Sequence, residues 1–210
     1  MTLRISSQFL FFAIPLILAK IFSPEYFGTF SLSMMLVYLV QSIFVNSSGS
    51  AFLVYSNKEY KNTHKVNLTF TSRLLFIFIF LSIIFFILII FDEQFKEFTT
   101  LSKNEYYYIF LMILALTLQG LIVRIFQSFL KRSKSAFFEF LSGLFTLIIV
   151  ILLITAHYSQ IKYIFIAYFI ASILAIVFVM NKSELKMLFP LKFNKNNFKE
   201  FSIYSSWMFL

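Results

Sequence analysis

The stretch LTFTSRLLFIFIFLSIIFFILIIF, residues 68–91, decides the fold class. Its 24 residues carry a single charge, Arg73. As a helix it would reach about 36 Å at about 1.5 Å per residue, enough to cross a hydrocarbon core about 30 Å thick. Five further runs have the same character: 5–22, 28–45, 106–130, 137–156 and 161–180. Another apolar run begins at Phe201. Of the 210 residues, 60% are hydrophobic and 13% charged, against about half and a quarter in a soluble domain. The surplus lies in continuous runs, which excludes a soluble core as the main account. The expected fold is therefore an all-α integral membrane protein, a six-helix antiparallel transmembrane bundle plus the start of a seventh helix. Residues 1–180 form the six-span lobe, 181–200 a basic linker, and 201–210 a truncated start of the seventh span.

Several chemistries are excluded by residue usage. There is no cysteine, so no disulfide, thiolate nucleophile or Cys-based metal site is expected. The only histidines, His64 and His157, fall between spans. No Gly-rich phosphate loop is present, which removes ATP hydrolysis by this chain. The expectation is a protein that is not an enzyme and uses no metal or cofactor. The net charge of +9 raises nucleic acid as a partner. The basic residues, however, sit in short loops, where positive-inside topology accounts for them.

Those loops alternate in charge. Arg4, then Lys58, Lys61 and Lys65, then Lys131, Arg132 and Lys134, then Lys182, Lys186, Lys192, Lys195 and Lys199 fall on one side. The other side holds Lys20, Lys96, Lys103 and Lys162 among Glu25, Asp92, Glu93, Glu97 and Glu105. This places the N-terminus and the 181–200 segment in the cytoplasm. The first run lacks a small-x-small cleavage site and holds Pro15, so it reads as a retained span rather than a signal peptide.

Polar residues inside spans mark cavities or packing contacts, because lipid offers them no partner. Gly120, Arg124 and Gln127 share one helical face at i, i+4, i+7. Thr69, Ser72 and Arg73 share another, and Glu139, Ser142, Gly143 and Thr146 a third. Arg73, Arg124 and Glu139 come at similar depth, one to two turns from the cytoplasmic side. The functional reading is a cationic opening for an anionic head group. Arg124, Arg73 and Gln127 are its substrate-binding candidates, with Glu139 as a charge partner or proton carrier. Snorkelling of shallow arginines to the interface is the competing reading. On the first two spans, Ser6, Ser7 and Gln8 open one helix, and Tyr38, Gln41 and Ser42 form a weaker patch. The stretch 46–50 reads as a small, polar, flexible end to the second span. Pro15 frees a backbone carbonyl, and Pro24 with Gly28 marks the turn between the first two spans. Ala167, Ala171 and Ala175 make a small face for close intramolecular packing.

The most specific stretch is LILAKIFSPEYFGTFS, residues 16–31, in which Pro24 stops one helix and Gly28 permits a close return into the next. It resembles the first helical hairpin of the O-antigen and polysaccharide flippases, members of the multidrug/oligosaccharidyl-lipid/polysaccharide exporter superfamily. GSA at 49–51, QSFLKRSK at 127–134 and the lysine-rich linker are similar to the same family. The resemblance implies the N-terminal lobe of a two-lobe transporter of the bacterial inner membrane. Its cargo would be a lipid-linked oligosaccharide on a polyprenyl pyrophosphate carrier, moved by alternating access. Membrane lipids and the polysaccharide assembly machinery are the implied partners. A drug or ion antiporter of the same superfamily, or an inactive truncated remnant, are the alternatives.

Overall fold

The computed structural model describes residues 2–91, 93–94, 106–158 and 160–207. The loop charges expected at Asp92, Lys96, Glu97, Lys103 and Glu105 lie outside them, as do residues 208–210 of the last run. Every secondary-structure element among the described residues is helical. Helix α1 spans Thr2–Ile21 with Pro15 inside it. Ser23 caps the next helix by accepting from the Tyr26 amide at 3.3 Å. Pro24, whose missing N–H is no loss at a helix start, and Glu25 form its first turn.

That helix, α2, runs unbroken through Pro24–Thr63, 40 residues in all. It is about 60 Å long, twice the hydrocarbon core. A π-helical turn, Gln41–Asn46, interrupts its α geometry. The expectation that the second span ends in a flexible stretch at 46–50 is corrected here. The Ser47 hydroxyl donates to the Ile43 carbonyl at 2.7 Å and the Ser48 hydroxyl to the Val45 carbonyl at 3.1 Å. With their polar groups satisfied by their own backbone, these serines continue the helix rather than break it.

His64, in the left-handed region at φ 53°, ends α2. Helix α3, Asn67–Ile90, starts where the Glu59 carboxylate accepts from the Leu68 and Thr69 amides at 2.9 and 2.8 Å. A carboxylate over those otherwise unpaired amides favours a helix beginning at that point. Helices α4 (Tyr106–Ser128), α5 (Arg132–Thr155) and α6 (Ile161–Val179) follow. Leu130 and His157 take positive φ in the turns after α4 and α5. Two short helices close the described chain, α7 (Lys182–Leu188) and α8 (Lys195–Trp207). Helix α8 begins inside the stretch expected as linker and packs on α3 and the second half of α2. Its Phe201 is fully buried against Tyr55 and Phe76, while Trp207 faces outward.

Among the described residues, five helices are long and apolar enough to cross a membrane: α2, α3, α4, α5 and α6. The apolar part of α1, Ile5–Ile21, is shorter. Among the described residues the helices number eight, so the exact helix count differs from the six spans and the start of a seventh expected. The outward faces carry Phe9, Phe12, Phe78, Phe86, Val177 and Phe178, the surface a multi-pass membrane protein presents to lipid.

Helix α5 lies between α1 and α6, and α6 also packs along α4. Ala167, Ala171 and Ala175 are fully buried on α6, allowing these close approaches. The apolar core falls into two clusters. One gathers Ile14, Leu18, Phe30, Met112, Val150 and Phe165. The other gathers Phe52, Phe70, Ile125, Phe126, Phe138 and Phe201. Helices α2, α4, α5 and α6 each pass from one cluster to the other through polar or small residues: Gln41, Gln119 and Gly120, Ser142, and Ser172, while Arg73 of α3 lies within the second cluster, between Phe70 and Phe76. A polar layer therefore divides the bundle. Within it the Gln119 amide donates to the hydroxyls of Ser142 at 2.7 Å and Ser172 at 2.8 Å, joining α4 to α5 and α6.

Gly120 fixes how closely α4 meets α2. A Cβ added there would lie 2.9 Å from Val45 Cγ1. Gly120→Ala is expected to lower stability by about 1–3 kcal/mol through overpacking. Val45→Ala in the same chain should restore most of it, since the clash is with one methyl. Equal melting temperatures for Gly120→Ala and the wild type in detergent would refute the close contact.

Candidate functional site

A cavity of about 550 Å³ opens in the polar layer. Helix α1 contributes Ser7, Gln8 and Phe11, and α2 contributes Tyr38, Gln41, Val45 and Asn46. Helix α4 lays Gln119, Gly120, Val123, Arg124 and Gln127 along it, α3 adds Arg73, and α5 adds Phe138 and Glu139. Helices α1 and α2 make few contacts with each other, and both line the cavity. The π-helical turn forms part of its wall. Such turns carry an extra residue that redirects side chains and recur at functional sites. Here Gln41 donates to the Leu116 carbonyl at 3.3 Å, tying that turn to α4.

The four site residues expected from the sequence meet in this one cavity. Arg73 lies six residues into α3, Arg124 four residues before the end of α4, and Glu139 seven residues into α5. Those positions put all three about 6–10 Å from the same end of the bundle. Arg73 is fully buried. Its Nη2 donates to the Gly120 carbonyl over a long 3.5 Å, and its guanidinium stacks 5.0 Å from the Phe52 ring centroid. Its Nε and Nη1 meet no protein acceptor. Arg124 lies close enough that its positive charge acts on Arg73. Two cations so placed in a low-dielectric layer repel each other, and each lacks part of its hydration.

Arg124 is held from two sides. Its Nη1 donates to Gln127 Oε1 at 3.1 Å. A Cβ on Gly49 would come within 3.0 Å of its Nε, so the bare glycine of α2 leaves room for the side chain. Gln127 and Glu139 also line a second, smaller cavity of about 350 Å³. Pro15 lies one turn beyond Phe11 and withdraws the amide that would bond the Phe11 carbonyl, at a residue lining the larger cavity. Gly28 has no atom within 4 Å of an added Cβ. The close return expected at Gly28 is therefore corrected: Ser23 and Pro24 alone shape the turn.

Two members of the third expected face are structural. Ser142 is engaged by Gln119, and the Thr146 hydroxyl donates to the Ser142 carbonyl at 2.8 Å. Gly143 lies against α1, where a Cβ would stand 3.3 Å from Leu10 Cβ. Gln119 was not expected. It is a buried amide five residues before Arg124 on the same helix, off the face that Gly120, Arg124 and Gln127 share.

The arrangement presents guanidinium donors to a polar cavity enclosed by apolar helices. That is an environment for binding an oxyanion: each guanidinium offers five N–H donors in a planar fork and no acceptor. No protein-family model matches the chain, and no curated protein or solved structure matches it significantly.

Proposed function

We propose that this helical bundle is a lobe of a flippase that carries a polyprenyl-pyrophosphate-linked oligosaccharide across the bacterial inner membrane. The N-terminus faces the cytoplasm, and polysaccharide assembly enzymes supply the cargo. The observation that carries this reading is Arg73, fully buried beside Arg124 with two guanidinium nitrogens unmatched by the protein. A charge so costly in a membrane bundle is a functional candidate, and two of one sign select a ligand of the other. The flippase-like hairpin at 16–31 and the lysine-rich loops of one side support the same reading.

In this mechanism the cavity arginines bind the diphosphate, and a second helical lobe closes the site and rocks against this one. No covalent bond changes. The acidic partner expected of a cation antiporter is represented in the cavity wall only by Glu139, among the described residues. Arg124→Ala should reduce translocation at least about 10-fold, the loss of one charged hydrogen-bonding partner. Arg124→Lys should retain part of it, because a lysine keeps the charge without the fork. The readout is appearance of lipid-linked oligosaccharide on the outer leaflet at matched expression. Full activity in both variants removes the cavity from the mechanism.

A further inference from the structure

Helices α3 and α4 follow one another in the chain, yet their backbones stay apart along most of their length. Each packs instead on the second half of α2. A third cavity, of about 340 Å³, lies between them. It runs from Thr71 to Leu81 on α3 and from Leu121 to Leu114 on α4, with Leu191 from the segment between α7 and α8 at one end. Phe85 and Phe110, one turn further along each helix, meet with ring centroids 5.2 Å apart and mark the other end. None of its lining residues lines either of the other two cavities.

Nine of the eleven lining side chains are leucine, isoleucine or phenylalanine. The other two are threonines, and Thr71 already donates to the Asn67 carbonyl at 2.7 Å and accepts from the Lys192 amide at 3.2 Å. A water would need about two to four polar partners, more than this lining provides. The lining atoms lose dispersion contact unless carbon fills the space. Thr71 to Leu81 covers about 15 Å, half the hydrocarbon core and so the depth of one leaflet. Spread over that length the volume is about 5 Å across, half the diameter of a helix with its side chains. The gap therefore admits a hydrocarbon chain but no further helix. Phe78 stands exposed at its rim, on the surface turned to lipid.

The Thr71 end is the lysine-rich one. Every charge between residues 185 and 199 is a lysine: Lys186, Lys192, Lys195 and Lys199. Lys192 is exposed and directly follows Leu191, and the bond to Thr71 fixes its backbone at the mouth of the gap. Glu59 and Glu184, at the same end, are already engaged by the α3 amides and by Lys131 and Lys134. Exposed Phe193 among these lysines fits a segment lying at an anionic membrane surface. We propose that the α3–α4 gap is a groove for one acyl chain of an anionic phospholipid of the cytoplasmic leaflet, with Lys192 beside the headgroup phosphate. The lipid wedges α3 and α4 and ties both to residues 191–192. The site is independent of the arginine cavity and of what that cavity carries.

The test uses the full chain in detergent micelles and one equivalent of phosphatidylglycerol carrying a photoreactive group on its acyl chain. In the wild type, cross-links should fall on residues 71–81 and 114–121. They should exceed those on the α6 peptide with Val177 and Phe178 at least about fivefold, the worth of one lysine near an anionic headgroup. Unlabelled phosphatidylglycerol should compete about fivefold better than phosphatidylcholine with the same chains, and glycerol phosphate should not compete. Lys192→Ala should erase the difference between the two lipids. Leu118→Trp, which fills the groove, should remove the label from both segments. Even labelling of all lipid-facing helices in the wild type would overturn the site, and so would equal competition by the two lipids. Competition by glycerol phosphate would replace the groove with a phosphate site and overturn it as well. A folded Leu118→Trp variant labelled like the wild type has the same consequence, and the wild-type pattern decides alone where that variant does not fold.

Discussion

Arg73→Met should make the protein more stable and much poorer at binding a diphosphate lipid. The arginine is fully buried, with only a long bond to the Gly120 carbonyl and the Phe52 ring to offset its desolvation. Replacing buried ions by apolar side chains of similar volume is often stabilising by about 1–4 kcal/mol. Met is flexible enough to fill the irregular space left behind. Loss of a buried charge from an ionic contact weakens binding by about 2–5 kcal/mol, or roughly 30-fold to several-thousand-fold. Thermal unfolding in detergent and titration calorimetry with a polyprenyl pyrophosphate measure the two halves. A variant that melts lower and binds normally would make Arg73 a structural donor to α4 and nothing more.

The second large effect lies at the other end of the polarity scale, outside the spans. Glu184 is completely shielded, and its carboxylate takes Lys131 at 2.8 Å and Lys134 at 2.7 Å, besides the Asn181 amide at 3.0 Å. Nearby, the Val66 amide donates to the Met187 carbonyl at 3.1 Å, and the Asn67 side chain to the Pro190 carbonyl at 3.0 Å. The segment after α6 is thus strapped over the α2–α3 and α4–α5 turns. Glu184→Ala leaves two lysines facing each other without their shared anion. It should loosen this strap by about 1–3 kcal/mol, the lower range for a buried pair because both lysines keep partial solvent contact. Amide hydrogen exchange across 181–192 should accelerate accordingly, with the α4 and α5 cores unaffected.

The same carboxylate carries a pH dependence. Burial pushes its pKa up, but hydrogen bonds from Lys131, Lys134 and the Asn181 amide, with the charge of Lys134, pull it further down, leaving it below the ordinary glutamate value. A depressed carboxylate stabilises the fold fully above its unfolded pKa and loses that contribution as pH falls through the folded one. Protection of 181–192 should therefore hold at neutral pH and decline only in acid. In Glu184→Gln it should start lower and show no such step. Identical pH profiles for the two proteins would remove Glu184 as the fastening point.

Much of the bundle was legible because a bilayer demands runs of apolar residues, and 68–91, 106–130, 137–156 and 161–180 supply them without ambiguity. The meeting of Arg73, Arg124, Gln127 and Glu139 was legible too, since equal depth follows from counting residues from the loops. Two features were not. Serines and asparagine at 46–50 carry the composition of a turn, and only their bonds to carbonyls one turn back show that α2 continues. The strap after α6 depends on Glu184 finding two lysines about 50 residues earlier in the chain, a pairing that no local pattern announces. Gln119 belongs with these: one amide serving two serines on different helices is visible only once the helices are placed.

The length of α2 has a mechanical consequence. From the π-helical turn at Gln41–Asn46 to Thr63 the helix continues for 17 residues, an arm of about 25 Å. A tilt of about 10° at that turn would sweep its tip through about 4 Å, by the geometry of a rigid rod. The tip carries Lys58, Glu59 and Lys61, and Glu59 grips the start of α3. The cavity wall and the solvent-side end of the protein are thus two points on one lever, with its fulcrum beside the arginines.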